Sequence, residues 1–252
     1  MNLFDLSGKT AIVTGGNSGI GLAFARGLIK SGANVAIWAR NKEKNTAALA
    51  ELNELRGGRA TAYQCDVAIE EEISSAMVAT LNDYQSVDIC FANAGIGAGM
   101  ALPEMTVEAW DKVMNVNARG VALTYRYVTE HMINRGGGGK LIATSSGQSI
   151  MGVNRSSNYA ASKAAVNGLT RGAAFELARY QITANALLFG FYETDLTAQS
   201  DPRFAEWMTK RIPLRRFGDH DGLEGLAVFF ASSHSDYITG QCLPVDGGLC
   251  IS

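Results

Sequence analysis

A short β-branched run, Thr10 to Val13, leads into Thr14-Gly15-x-x-x-Gly19-Ile20-Gly21 and then an amphipathic stretch, Leu22 to Ile29. This order of strand, glycine turn and helix constrains the chain more than any other feature. Glycine lets the backbone reverse sharply and keeps a Cβ out of the way of a bound group. The helix that follows presents free N–H groups and the positive end of its dipole, a seat for an anion such as a pyrophosphate. A glycine-rich turn is also ordinary loop chemistry. Its weight comes from its place after the first strand of a βαβ pattern.

Downstream, apolar runs of strand length alternate with helical patterns. Ala33 to Trp38, Ala60 to Gln64, Val87 to Ala92, Lys140 to Thr144, Ile182 to Leu188 and Gln241 to Pro244 read as strands. Glu43 to Leu55, Ile69 to Leu81, Val107 to Ile133, Asn158 to Tyr180 and Leu223 to Ala231 read as helices. Near-continuously apolar strands separated by helices imply an α/β, doubly wound parallel sheet covered on both faces. Its ligands bind outside the carboxyl ends of the strands. No Pro/Ser-rich linker or charge block divides the 252 residues, so one domain over 1–252 is expected.

A formal net charge of −2 gives no reason to expect nucleic acid or an anionic membrane surface as partner. No run approaches the roughly 18 apolar residues of a membrane span, and MNLFDLSGK lacks the basic and apolar regions of a secretory signal. Cys65, Cys90, Cys242 and Cys250 have neither metal-ligand nor CxxC spacing. These features together predict a cytoplasmic protein with reduced thiols and no metal.

The end of the second strand bears on which dinucleotide is bound. An NAD site places a carboxylate there for the ribose 2′-hydroxyl, whereas an NADP site uses arginine for the 2′-phosphate. Here Ala39 stands at the carboxylate position and Arg40 follows. A guanidinium can clamp a phosphate with two hydrogen bonds. Ser18 gives the glycine turn no second cation, so NADP(H) is favoured and NAD(H) remains possible.

Tyr159 and Lys163 lie four apart, on one face of a helix, and Ser146 precedes Tyr159 by thirteen positions across a Gly-containing loop. A phenol, an ammonium and a hydroxyl together suit hydride transfer coupled to proton transfer. Free tyrosine titrates near about 10, too high for efficient base work at neutral pH. A nearby cation lowers that value, and Lys163 is expected to do so. Ser146 is expected to hydrogen-bond the substrate oxygen and steady the charge that develops there.

These residues resemble the short-chain dehydrogenase/reductase family over nearly the whole chain. The matching pieces are TGGNSGIG, Asp66-Val67, Asn93-Ala94-Gly95, Val116-Asn117, Ser145-Ser146 and Tyr159-x-x-x-Lys163, in that order and spacing. The resemblance implies a Rossmann-type domain with seven parallel strands, often a homotetramer, with a homodimer as the smaller alternative. It makes Asn117, Ser146, Tyr159 and Lys163 the catalytic set, with Asn117 holding a water that relays protons to Lys163. It makes Gly15, Asn17, Ser18, Gly19, Ile20, Gly21, Arg40, Asp66, Val67, Asn93, Ala94, Gly95, Tyr159, Lys163, Gly190 and Thr194 the cofactor contacts. Asp66 and Val67 would border the adenine, and Lys163 would also hold the nicotinamide ribose.

Two departures stand out. Ala92 replaces an asparagine before Asn93, and Phe189 replaces the proline of a Pro-Gly pair, which should loosen a rigid turn. The segment at about 190–217 should cover the substrate, with Leu196, Phe204, Trp207 and Met208 as lid packing and Ser149 to Val153 and Ile96 as further walls. The expected activity is that of a carbonyl reductase or secondary alcohol dehydrogenase. A 3-oxoacyl-[acyl-carrier-protein] reductase is the first rival, but Glu130 and Phe175 stand where that subgroup carries basic docking residues. A sugar-acid (gluconate-type) dehydrogenase is the second, since LFDLSGK resembles its opening. A non-catalytic dinucleotide sensor would lack the tyrosine or the lysine, and both are present.

Overall fold

Seven short runs rich in β-branched and small apolar residues hydrogen-bond side by side. They are β1 (Thr10–Thr14), β2 (Asn34–Ala39), β3 (Ala60–Gln64), β4 (Ile89–Ala92), β5 (Gly139–Ser146), β6 (Ile182–Phe189) and β7 (Cys242–Val245). In the computed structural model, which describes residues 4–55, 57–97, 99–192 and 202–251 (less the side chains of Pro202 and Phe204), every pairing is parallel. The sheet order is β3-β2-β1-β4-β5-β6-β7. Succession therefore reverses between β1 and β4, and the connections after these two strands diverge to leave a crevice at their carboxyl ends.

Alternate residues of each strand feed opposite faces. Val13, Val35, Ile37, Phe91 and Leu187 face a core that includes Phe24, Leu28 and Ile29 of α1 (Gly19–Lys30) and Leu223 and Phe230 of α8 (Asp221–Ala231). Ile12, Trp38, Cys90, Leu141 and Leu188 face the other, with Ile73 of α3 (Glu70–Tyr84), Tyr125 and Met132 of α5 (Gly120–Arg135) and Val166 of α6 (Ser157–Leu177). Two buried faces on every central strand explain why their sequences lack a polar alternation. The remaining helices are α2 (Lys42–Glu54), α4 (Val107–Met114) and α7 (Pro202–Arg211).

The helix expected over Val107 to Ile133 is three pieces, with a π-helical turn at Asn115–Arg119 between α4 and α5. The widened turn carries Asn117, whose amide is tied to both backbone polar groups of Ile96. Periodicity does not register such a turn, because the apolar stripe continues through it. π-turns of this sort occur most often at functional positions.

The amino ends of the strands are stapled by one buried carboxylate. Asp88 accepts from the Thr10 N–H at 3.0 Å and from Lys9 Nζ at 3.3 Å, and pairs with Arg135 at 3.2 Å. Asp88→Ala strands the Thr10 N–H and leaves Arg135 without its counter-charge. Urea unfolding should show a loss of about 2–4 kcal/mol; a loss below about 0.5 kcal/mol would show that the staple contributes little.

Candidate active site

The crevice begins where β1 ends. Gly15 turns at a φ of +65°, and a Cβ on Gly21 would collide with the Gly15 carbonyl and stand 2.6 Å from Asn93 Nδ2. Only glycine at both positions permits this approach of turn to helix. The next feature is electrostatic. Helix α3 opens on Glu70, Glu71 and Glu72, whereas α1 has no acidic residue in its first turn and its Ser18 side chain makes no cap bond. The positive end of α1 is thus left for an anion from outside the chain.

A cleft of about 490 Å3 runs from this turn along the strand ends. Gly15, Asn17, Ser18, Gly19, Ile20, Gly21, Arg40, Asp66, Val67, Asn93, Ala94, Gly95, Tyr159 and Lys163 all line it, as the sequence led us to expect. It is also lined by Trp38, Ala39, Asn41, Lys44, Cys65, Ile96, Val116 and Thr144. Lys44 belongs to no motif that marks a dinucleotide site. It sits in the first turn of α2, where a cation works against the helix dipole, and that local conflict was the available signal. Arg40 lies beside it, its Nη1 3.4 Å from Asp66 Oδ2 and most of its side chain in solvent.

Three strand ends are knit together along the cleft floor. The Thr14 hydroxyl accepts from the N–H groups of Asn93 and Ala94, each at 2.9 Å. Asn93 donates to the Thr14 carbonyl at 3.1 Å and accepts from the Thr144 hydroxyl at 3.0 Å. The Thr144 carbonyl in turn accepts from Lys163 Nζ at 2.8 Å. Lys163 is almost wholly buried, and burial lowers its pKa to about 8.

Tyr159 is one turn of α6 earlier, with Lys163 Nζ 5.7 Å from its ring centroid. Burial raises the phenol above its usual value, and a hydrogen bond with Ser146 opposes that rise. In the chain by itself the direction is set by desolvation, opposite to the depression expected from Lys163. Ser146 sits at the end of β5, accepts from the Gln148 N–H at 3.2 Å, and donates weakly to the Phe189 carbonyl at 3.5 Å. Asn117 is fully buried and donates to the Ser162 hydroxyl at 3.1 Å. A Cβ on Gly95 would stand 3.3 Å from Asn117 Oδ1 and 3.4 Å from Lys163 Nζ, so both groups converge on one spot of the cleft floor.

Gly190 lies just past β6, its N–H bonded to the Val245 carbonyl at 3.1 Å, and does not line the cleft. Thr194 and Leu196, and the side chain of Phe204, lie outside the described residues. Met208, Ile212 and Leu249 form a small apolar cluster with Met151, Phe191 and Phe217. Trp207, expected in the lid packing, is instead half exposed, on the outer side of α7. Leu249 and Cys250, which no sequence motif marked, bring the Gly247–Ile251 turn against the loop after Ser146, with Cys250 Sγ 3.9 Å from Met151 Sδ.

Phe189, which stands where the resemblance has proline, is packed on both sides. Its ring is 3% exposed, 5.9 Å from Phe24 and edge-on to Tyr192 at 5.5 Å. Packing there does the work that a fixed φ does in proline. Phe189→Ala should destabilise the fold by about 3–5 kcal/mol, and Phe189→Leu by clearly less, in chemical denaturation. Equal costs would mean that the aromatic contacts add nothing.

A family model described as enoyl-(acyl carrier protein) reductase matches residues 15–250. The 5-keto-D-gluconate 5-reductase of Escherichia coli K12 is 38% identical over 100% of this chain and 99% of its own. The crystal structure of a gluconate 5-dehydrogenase from Burkholderia cenocepacia J2315, in complex with NADP and tartrate, superposes with a TM-score of 0.92 at 38% identity, covering 100% of this chain and 98% of the other. A short-chain type dehydrogenase/reductase from Mycobacterium marinum gives 0.94 at 34% identity, with 98% of both chains covered.

Proposed function

This chain belongs to the short-chain dehydrogenase/reductase family, and on that premise we propose that Tyr159 passes its proton to a ketone oxygen during reduction and recovers it during alcohol oxidation. The enzyme is an NAD(P)-dependent oxidoreductase. The observation that carries the residue assignment is the convergence of Tyr159, Lys163 and the glycine turn on one cleft. The cofactor is NADP(H), supported by Ala39 in place of a carboxylate, by Arg40 and Lys44 at the cleft's end, and by the NADP in the Burkholderia relative. The turn at Gly15 to Gly21 would hold its pyrophosphate and Arg40 with Lys44 its 2′-phosphate. When bound, it supplies or accepts the hydride.

The protein's own part is proton handling and orientation. Ser146 and Tyr159 form a two-point clamp for one substrate oxygen, a hydroxyl on one side and a phenol on the other. Because burial keeps Tyr159 protonated well past neutrality, the resting state is armed as an acid, the form that carbonyl reduction needs. The Lys163 ammonium steadies the phenolate left behind. Asn117, converging with Lys163 over Gly95, would hold a water that returns the proton.

The substrate is a small ketone or secondary alcohol, and the names of the relatives make 5-keto-D-gluconate the first compound to try. Reduction of a 3-oxoacyl carrier-protein thioester is less well supported. Glu130 and Phe175 are both solvent-exposed on α5 and α6, where an acidic carrier would need cations. We place the activity on one domain, 1–252, in the cytoplasm, where four free thiols persist. We propose a homotetramer assembled through α5, α6 and β7, whose Phe175 and Leu243 are exposed apolar residues.

Two measurements test this reading. Arg40→Ala and Lys44→Ala should each raise the KM for NADPH, by roughly thirtyfold for the loss of about 2 kcal/mol of charged hydrogen bonding, and leave that for NADH unchanged. Equal effects on both cofactors would remove the phosphate contact. In the pH profile, Tyr159 is protonated across the neutral range, so reductive kcat/KM should hold below about pH 8 and fall as Lys163 loses its charge near 8. Lys163→Arg should shift that alkaline limb upward; an unmoved limb would assign it to another group.

A further inference from the structure

The face of α6 that carries Tyr159 and Lys163 continues for one more turn to Asn167, at i, i+4 and i+8. Asn167 is 4% exposed and touches neither the cleft nor Tyr159, so the mechanism above leaves it without a task. Its hydrogen bonds give it one. Asn167 Nδ2 donates to Ser149 Oγ at 2.8 Å, and Ser149 Oγ donates to the Ser146 carbonyl at 2.6 Å. A two-bond polar chain thus runs from the helix of the phenol to the backbone of Ser146.

The chain has a direction. A serine hydroxyl carries one proton, and that of Ser149 is committed to the Ser146 carbonyl. Its oxygen can therefore only accept, which fixes Asn167 with its NH2 inward and its Oδ1 outward. That Oδ1 is buried with no hydrogen-bond partner, a penalty borne to keep the NH2 on Ser149. The Ser146 carbonyl begins a single 3-10 turn, Gly147–Ser149, and the serine's own hydroxyl accepts from the Gln148 N–H inside that turn. Holding the carbonyl therefore holds the turn and the hydroxyl with it. Neighbouring Ser145 is braced from the same helix, its hydroxyl donating to the Lys163 carbonyl at 3.1 Å.

We propose that Asn167 is a positioning residue for carbonyl reduction, locking Ser146 toward Tyr159 through Ser149. The inference rests on the reading of Ser146 as a substrate-oxygen donor. Its loss would act on kcat and leave nucleotide binding alone, since the nucleotide cleft touches neither Asn167 nor Ser149.

The test is steady-state NADPH oxidation with the ketone that the wild type reduces fastest among 5-keto-D-gluconate, ethyl acetoacetate and cyclohexanone, alongside NADPH affinity by fluorescence titration. Asn167→Ala and Ser149→Ala should each lower kcat about tenfold, with the Kd for NADPH within twofold of wild type. The double variant should be no slower than either single one, because both break one chain. Ser149→Thr keeps the hydroxyl and should restore turnover. Asn167→Asp, equal in shape but only an acceptor, should lose at least as much as Asn167→Ala, because its carboxylate competes for the Ser149 proton. Wild-type kcat in Asn167→Ala, or additive losses in the double variant, overturns the proposal. Ser146→Ala separates the two readings: a large loss there beside an active Asn167→Ala removes this inference alone, and full activity in Ser146→Ala removes both.

Discussion

Thr14, Asn93 and Thr144 form a cross-strand bridge on which the candidate site rests. Through it the ends of β1, β4 and β5 are held in fixed register at the point where strand succession reverses. One end of the bridge continues into the glycine turn and α1. The other passes through the Thr144 carbonyl to Lys163, and so to α6 and Tyr159. The glycine turn and the phenol, from opposite halves of the chain, thereby lie along one trough, without a loop having to bring them together.

Charge around the trough is arranged by omission. The first turn of α1 lacks acids, β2 ends on Ala39, and among the described residues no carboxylate pairs with Lys163. Each omission leaves positive potential unspent in the folded chain. Lys163 bears the cost, its pKa pulled down to about 8 by burial, and Tyr159 is pushed the other way by the same desolvation. Burial thus makes Lys163 the stronger acid of the two, the reverse of the order that mutual attraction alone would give. A bound dinucleotide would change both terms, bringing phosphate charge to one end and a nicotinamide ring to the other.

The fold was legible because both devices that specify it are local. Two-sided apolar strands signal a covered parallel sheet, and a glycine turn between strand and helix marks the phosphate end. Tyr159, Lys163 and the glycines were legible as well, being fixed by spacing on single elements. What stayed hidden depends on contacts distant in sequence. The π-turn at Asn117 exists because its amide answers Ile96, 21 residues away. Phe189 reads as a lost proline until its ring is seen against Phe24 and Tyr192. The tail at Leu249 and Cys250 carries no periodicity to announce that it returns to the loop after Ser146. The charge of Lys163 is legible in the sequence, whereas the burial that raises the phenol's pKa is not.

The central claim is that the Tyr159 hydroxyl delivers the proton. Tyr159→Phe removes that one oxygen and keeps the ring, so the measurement is NADPH oxidation with a reducible ketone, together with the Kd for NADPH on the same protein. The account requires turnover to fall at least about a hundredfold while NADPH binds with unchanged affinity. Turnover near the wild-type rate in a protein that still binds NADPH would contradict it.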